Sequence, residues 1–206
     1  MSAVHETFME FWPVEIRDVS LPHVEVAVTE REYEALARCH RHGPSSQSAR
    51  SLEDLSDRIV AAAAPYANEC FLRLGYGSWA ASQLRAFGTL RVGAPVAVLD
   101  VLQLADKRLS TIARRFVDGF LPSVFVRPFL AFDRRREMRL PVRSDGVNAP
   151  VWRDPAFRHL PVAMEEADEA IAFVEGFRHA LPGIPTHVDI MKFEDGHRVV
   201  DINPHH

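Results

Sequence analysis

The clearest pattern along the chain is the alternation of apolar and polar residues near its C-terminal end. Thr186 to Phe193 and Arg198 to Ile202 are rich in Val and Ile, and each predicts a short β-strand. Glu194 to His197 joins the two runs and contains Asp195 and Gly196, residue types that form hairpin turns. The sequence therefore predicts a C-terminal β-hairpin.

Apolar residues at helical spacing predict three helices. One follows Thr29, which can form a capping box with Glu32. A second runs from Ser51 to Pro65, where the proline ends it, and a third runs from Met164 to Leu181. His40 to Arg50 is rich in Gly, Pro and Ser and has no periodic pattern, which predicts a flexible loop.

Three more runs predict strands, namely Glu69 to Leu74, Ser123 to Phe132 and Glu137 to Arg143. Strands and helices follow one another in mixed order, without a regular strand–helix–strand repeat. This order favours an α+β fold with mixed or antiparallel sheets over a doubly wound parallel sheet.

The composition narrows the class of protein. Of 206 residues, 47% are hydrophobic and 25% are charged, which is ordinary for a globular chain. The formal charge of -4 gives no reason to expect a nucleic-acid or membrane partner. No apolar run approaches the roughly 20 residues of a membrane span, and Met1 to Phe11 does not have the pattern of a signal peptide. We therefore expect a cytoplasmic protein in which Cys39 and Cys70 are reduced and buried.

Three oxygen-bearing side chains in the predicted hairpin are candidates for holding magnesium. Asp189 lies on the first strand, and Asp201 and Asn203 lie two positions apart on the second, so they point to the same face. Carboxylate and amide oxygens suit a magnesium ion that bridges nucleotide phosphates. Asp189 lies among apolar residues, where an unpaired carboxylate would be costly. The alternative is that Asp201 to Pro204 only forms a turn at the end of the strand.

Arg127 interrupts an otherwise apolar predicted strand and so requires an anionic partner. A nucleotide phosphate is one candidate, and Glu137 on a neighbouring strand is the alternative. Pro128 removes a backbone N–H, which suits a sheet edge or hinge where the backbone offers hydrogen bonds to adenine.

Arg73 is a second cation within an apolar strand, and a glycine turn follows it directly. Gly75, Gly77 and Ser78 lie in that turn, ahead of a helix predicted from Trp79 to Phe87. A strand, a glycine turn and a helix can together present backbone N–H groups to an anion such as phosphate. Short glycine turns are also common where no anion binds.

Six segments of the chain, taken in their order, give a further indication of the class of protein. They are FWPVEIRDVSLPHVEVAV from Phe11, FLRLGYGSWAAS from Phe71, VFVRPF from Val124, EMRLPV from Glu137, HVDIMK from His187 and VVDINP from Val199. In this order they resemble segments of the cell division cycle protein 123 family, a compact branch of the ATP-grasp superfamily. The last two resemble its FDIY and LIDFNP segments, and the interval from Arg127 to Glu137 needs no gap. The resemblance spans most of the chain.

The resemblance implies a two-lobed ATP-grasp-like fold that binds ATP and magnesium between its lobes. Residues 1–120 would form an N-terminal lobe with the glycine turn at 75–78. Residues 121–206 would form a C-terminal lobe that carries the magnesium hairpin, and the two lobes would make one compact unit.

The resemblance also implies which residues contact each part of the ligand. The nucleotide-binding residues would be Arg73, Gly75, Gly77, Ser78, Val126, Arg127, Phe129 and Glu137. Adenine would lie beside the hinge after Val126, and the phosphates would lie near the arginines, with Arg139 added to that group. The residues that would hold magnesium are Asp189, Asp201 and Asn203, the same three that the hairpin pattern predicts.

Three functions are compatible with such a chain. In eukaryotes the family promotes assembly of translation initiation factor 2, so the resemblance implies an ATP-dependent assembly factor with a protein client. Most ATP-grasp proteins are instead ligases that activate a carboxylate by phosphoryl transfer for coupling to an amine, and Arg139 would then be the catalytic residue. A scaffold that no longer binds ATP is the third. Because the resemblance runs from Phe11 to Pro204 and no separate acceptor-binding domain is visible, the assembly factor is favoured.

Overall fold

The computed structural model describes residues 7–75, 77–106, 121–130 and 137–204. The chain divides into two compact units, one formed by Met1–Leu21 with Ala131–His206 and the other by Pro22–Leu130. The first unit is discontinuous in sequence because Val199 exchanges backbone hydrogen bonds with Val19 and Leu21. This division does not follow the boundary predicted between residues 120 and 121. The strand Val124–Pro128 pairs on both sides with strands of the Pro22–Leu130 unit and therefore belongs to that unit.

The described α-helices are α1 (Val14–Asp18), α2 (Glu30–His42), α3 (Ser46–Ala63), α4 (Ala80–Phe87), α5 (Val98–Leu102) and α6 (Met164–Glu175). The described strands are β1 (Val24–Val26), β2 (Cys70–Leu74), β3 (Gly77–Ser78), β4 (Val124–Pro128), β5 (Glu137–Arg143), β6 (Gly146–Val147), β7 (Val151–Trp152), β8 (Thr186–Phe193) and β9 (Gly196–Pro204).

The prediction of a flexible loop from His40 to Arg50 was wrong, because only Gly43 to Ser45 lies outside the helices α2 and α3. The backbone of Gly43 has φ +82°, which a glycine accepts readily, and its N–H closes the end of α2 on the carbonyl of Cys39. The side chain of Ser45 then accepts a hydrogen bond from the backbone N–H of Ser48 and caps α3. The Gly and Ser residues therefore end one helix and begin the next. The capping box of Thr29 and Glu32 is present at the start of α2, as predicted.

The sheet of the Pro22–Leu130 unit is antiparallel, with strand order β1-β4-β2-β3. Alternate side chains give it two different faces. One face is fully apolar and carries residues such as Leu72 and Val126, both of which are buried. The helix α3 packs against β1 and β4 of this sheet. The other face carries a row of register partners that runs across all four strands. This row consists of Glu25, Phe125, Arg73 and Ser78.

The sheet of the other unit is also antiparallel. Its strand order is β6-β5-β8-β9, and β7 also pairs with β5. The apolar face is built from buried residues on the three long strands, which are Met138, Leu140, Val188, Ile190, Val199 and Ile202. The opposite face carries the row Arg139, Asp189 and Asp201, which are direct register partners on β5, β8 and β9. The helix α6 is tied to the hairpin by a salt bridge of 2.7 Å between Lys192 and Glu169.

These sheets and helices confirm the predicted α+β class with antiparallel sheets. Both cysteines are buried and form no disulfide, as expected. None of the helices within the described residues has the length and apolar character needed to cross a membrane.

Candidate functional site

Asp189 lies at the centre of the polar face of the second sheet and is only 1% exposed. Arg139, its register partner on β5, donates from Nε to Oδ1 and from Nη2 to Oδ2, each over 2.7 Å. Because two nitrogens of one guanidinium meet the two oxygens of one carboxylate, this is a bidentate ion pair. Its hydrogen bonds to Asp189 raise the pKa of Arg139.

Two other side chains also donate to Asp189. Nε of Arg153 lies 3.2 Å from Oδ2, and Nδ2 of Asn203 lies 3.3 Å from the same oxygen. Oδ1 accepts one hydrogen bond from the described residues, so it keeps a lone pair for a further partner. Burial raises the pKa of the Asp189 carboxyl, and hydrogen bonds from Arg139 act against that rise.

A β-bulge places Asp201 and Asn203 beside Asp189. Asp201 pairs with Asp189, but the next pair along the ladder joins Val199 to Ile190, so Val200 is the extra residue on β9. In a regular strand without the bulge, Val199 and Asp201 would share one face of the sheet because they are two positions apart. The bulge therefore allows Val199 to remain in the core while Asp201 faces the charged side chains.

The predicted magnesium ligands have the donor chemistry that the ion prefers. Asp189 keeps a lone pair on Oδ1, Asp201 contributes a second carboxylate, and Asn203 has its amide oxygen, since its nitrogen is the atom that donates to Asp189. The described residues contain no group of three His, Cys, Asp or Glu side chains arranged for a metal ion. This is compatible with magnesium, which usually takes one or two carboxylates and completes its shell with water and phosphate oxygens.

Glu137 lies on β5 two positions before Arg139 and so on the same face of the sheet. Burial, followed by the charge of Asp189, raises the pKa of Glu137 to about 7. Arg153 and Arg139 act in the opposite direction. Because burial is the largest cause, the raised pKa of Glu137 mainly reflects its removal from water, and the charge of Asp189 adds to that rise.

Arg153 was not predicted from the sequence. It follows the two-residue strand β7, and its backbone N–H donates to the carbonyl of Glu137 over 2.9 Å. That bond positions its side chain next to Asp189. The only signal in the sequence is an arginine directly after the apolar pair Val151 and Trp152, a run too short to predict a strand.

Arg73 and Arg127, the predicted phosphate-binding cations, lie on the polar face of the other sheet. They are 5% and 2% exposed. Arg73 pairs with Phe125 and Arg127 pairs with Phe71, so the two arginines lie diagonally across β2 and β4 with aromatic residues between them. The neighbours of β4 are β1 and β2, so Glu137 on β5 is not on a neighbouring strand of Arg127 as predicted.

The glycine turn forms a small hairpin between β2 and β3, and not a direct connection from a strand to a helix. Gly77 pairs with Leu74, and Ser78 pairs with Arg73 on the polar face. The N–H of Gly75 donates to the carbonyl of Ser123 over 3.2 Å. This N–H is therefore already used within the protein, and an anion at the turn would have to be bound by other donors.

The hinge predicted after Val126 lies where the pairing between β4 and β1 ends. Val126 is completely buried and is paired with both β1 and β2. Because β1 begins at Val24, opposite Val126, residues Arg127 and Pro128 are paired by β2 alone. The edge predicted from Pro128 therefore exists only at this end of β4. Phe129 continues from it, and its N–H donates to the carbonyl of Glu69 over 3.2 Å.

Two antiparallel sheets, each with one apolar face and one face that carries charged residues, place the chain among α+β proteins. No protein-family model and no curated protein matches the sequence. Its fold is that of Cdc123 from Schizosaccharomyces pombe, which aligns with a TM-score of 0.77 at 15% identity over 98% of this chain and 84% of that chain. The C-terminally truncated form of Cdc123 gives a TM-score of 0.76 at 16% identity with the same two coverages.

The RimK domain ATP-grasp protein from Sphaerobacter thermophilus aligns more loosely. Its TM-score is 0.44 at 16% identity, over 89% of this chain and 70% of that chain. So low a score adds nothing to the fold assignment. The two Cdc123 structures confirm the predicted resemblance at the level of the fold.

Proposed function

We propose that this chain binds ATP together with magnesium. The observation that supports the proposal most is the row formed by Arg139, Asp189 and Asp201, with Asn203 beside it. This row belongs to a chain whose fold is that of Cdc123. Asp189, Asp201 and Asn203 would hold the magnesium ion. When bound, the ion would neutralise charge on the phosphates and fix their orientation.

The cationic part of the proposal rests on Arg73 and Arg127. Each is a buried guanidinium on a strand of the same sheet. Guanidinium groups match phosphate oxygens in geometry. Gly75, Gly77, Ser78, Val126, Phe129 and Glu137 complete the proposed set of nucleotide-binding residues.

Between the two uses of ATP, we favour an assembly factor for a protein client over a carboxylate–amine ligase. In a ligase, Arg139 would have to stabilise the charge that develops on the transferred phosphoryl group. In the structure two of its nitrogens are held by Asp189 over 2.7 Å, so it serves first as the partner of that carboxylate. The cytoplasmic location and the absence of nucleic-acid and membrane partners stay predictions.

Titration calorimetry with Mg-ATP, together with thermal unfolding, tests the proposal. Binding heat at millimolar ligand and a higher melting temperature are expected, since a ligand of the native state stabilises it. Asp201→Ala should lose the magnesium-dependent part of the affinity, whereas Arg127→Ala should weaken ATP even without metal. Asp195→Ala is the matched control, because Asp195 lies in the turn of the same hairpin with its side chain 69% exposed. A parent protein with neither heat nor thermal shift would leave only the scaffold function.

A second experiment separates the assembly factor from the ligase. The protein is incubated with ATP, magnesium and a broad mixture of amino acids and peptides, and phosphate release and new amide products are measured. We expect little turnover. ADP formation that depends on an acceptor, with a new amide detected by mass spectrometry, would establish the ligase.

A further inference from the structure

Arg153 differs from the other arginines near Asp189 in how its guanidinium is used. Its Nε donates to Oδ2 of Asp189 over 3.2 Å, and its side chain is 29% exposed. Within residues 7–75, 77–106, 121–130 and 137–204, its two terminal nitrogens donate to no protein group. The inner nitrogen thus anchors the side chain, and the outer pair of N–H groups is available to a ligand.

Arg139 is held differently. Both Nε and Nη2 are bound to Asp189, and its side chain is 20% exposed. A guanidinium in this bidentate arrangement has little freedom to turn toward another anion without breaking two short hydrogen bonds. Arg153 gives up no comparable contact when its terminal nitrogens bind a ligand.

We propose that Arg153 binds the terminal phosphoryl group of the nucleotide. This inference rests on the proposed Mg-ATP function and adds a residue to that site. A paired N–H donor with a full positive charge matches two oxygens of one phosphoryl group. Its anchor is Asp189, a proposed magnesium ligand, and magnesium bridges the outer phosphates of ATP. Arg153 is therefore held where the outermost phosphate would be.

Arg153 also has a positioning role that must be separated from direct binding. It contributes one of the hydrogen bonds that orient the Asp189 carboxylate, and its backbone N–H joins β7 to β5. If positioning were its whole contribution, its loss would weaken every magnesium–nucleotide complex alike. A direct bond to the terminal phosphate affects only a nucleotide that has this phosphate.

The test compares a non-hydrolysable ATP analogue with ADP, both with magnesium, by titration calorimetry. In Arg153→Met the affinity for the analogue should fall roughly 10-fold to 100-fold, the factor expected for a hydrogen bond to a charged group, while ADP changes by less than about 3-fold. Arg198→Met is the control, since Arg198 lies on β9 of the same hairpin and pairs with Asp195. It should bind both nucleotides as the parent does.

Arg153→Lys keeps the charge and one hydrogen bond to Asp189 but loses the paired donor. This variant keeps the test possible if Arg153→Met fails to fold. Its preference for the analogue over ADP should be about 3-fold to 10-fold weaker than that of the parent. Equal loss of both ligands, or an unchanged preference in the variants, overturns the role of Arg153 while the parent still binds Mg-ATP. If the parent binds neither nucleotide, the proposed function fails and this inference fails with it.

Discussion

Replacing Asp189 by asparagine should destabilise the protein in the absence of any ligand. The carboxylate is 1% exposed and accepts from Arg139, Arg153 and Asn203, so the substitution leaves two guanidinium groups without their counter-charge. Removing one partner of a buried ion pair costs about 3–5 kcal/mol. The side chains of Arg139 and Arg153 are 20% and 29% exposed, so water recovers part of that cost. We expect a loss of about 3 kcal/mol.

Chemical denaturation and thermal unfolding without nucleotide measure this loss. For a chain of this size, about 3 kcal/mol corresponds to a decrease of roughly 6–12 °C in melting temperature. Asp201→Asn is the comparison, because Asp201 is half-buried and should change ligand-free stability by less than about 1 kcal/mol. Both variants should lose the magnesium-dependent part of ATP affinity. An Asp189→Asn protein as stable as its parent would refute the reasoning that the ion pairs stabilise this sheet.

Two further predictions concern the Pro22–Leu130 unit. Gly93→Ala should cost more than about 3 kcal/mol, because Gly93 has φ +136° and an added Cβ would lie 2.4 Å from the carbonyl oxygen of Asn68. Gly88→Ala, at φ +69° with open space around it, should cost only about 1 kcal/mol, and equal denaturation midpoints for the two variants would contradict the role of the close contact. Burial lowers the pKa of His40 from 6.5 to about 4, so the unfolded chain binds a proton between these values that the folded chain does not. The free energy of unfolding should therefore decrease as the pH falls from 6.5 toward 4, by about 2 kcal/mol at pH 5. Denaturation of His40→Gln should show a smaller pH dependence than that of the parent.

The elements that sequence patterns predicted best are those with a strict period or a definite cap. The strand Thr186–Phe193 has the predicted bounds, and the capping box at Thr29 is formed. The Gly and Ser residues between His40 and Arg50 were assigned to a loop because composition does not tell a cap from a linker. Only the conformation of Gly43 and the hydrogen bond to Ser45 make the distinction.

The sequence predicts which candidate residues come together where they lie on long strands. Asp189, Asp201 and Asn203 lie together because a hairpin fixes which residues face each other. Arg153 was missed because β7 has only two residues, and its approach to Asp189 depends on the register of β7 against β5. The bidentate ion pair between Arg139 and Asp189 was also not predicted. Pairing between β5 and β8 joins segments that are distant in sequence, so the sequence alone does not fix its register.

The interrupted path of the chain has a consequence for synthesis on the ribosome. The Pro22–Leu130 unit is one continuous segment, so all of it is synthesised before the strands β5 to β9. The other unit needs Val199 to bond with Val19 and Leu21, which left the ribosome far earlier. The segment ending at Leu21 therefore waits for its partner until Val199 has been synthesised. Since Asp201 and Asn203 follow Val199 directly, a nascent chain gains its full set of proposed magnesium ligands only after that point.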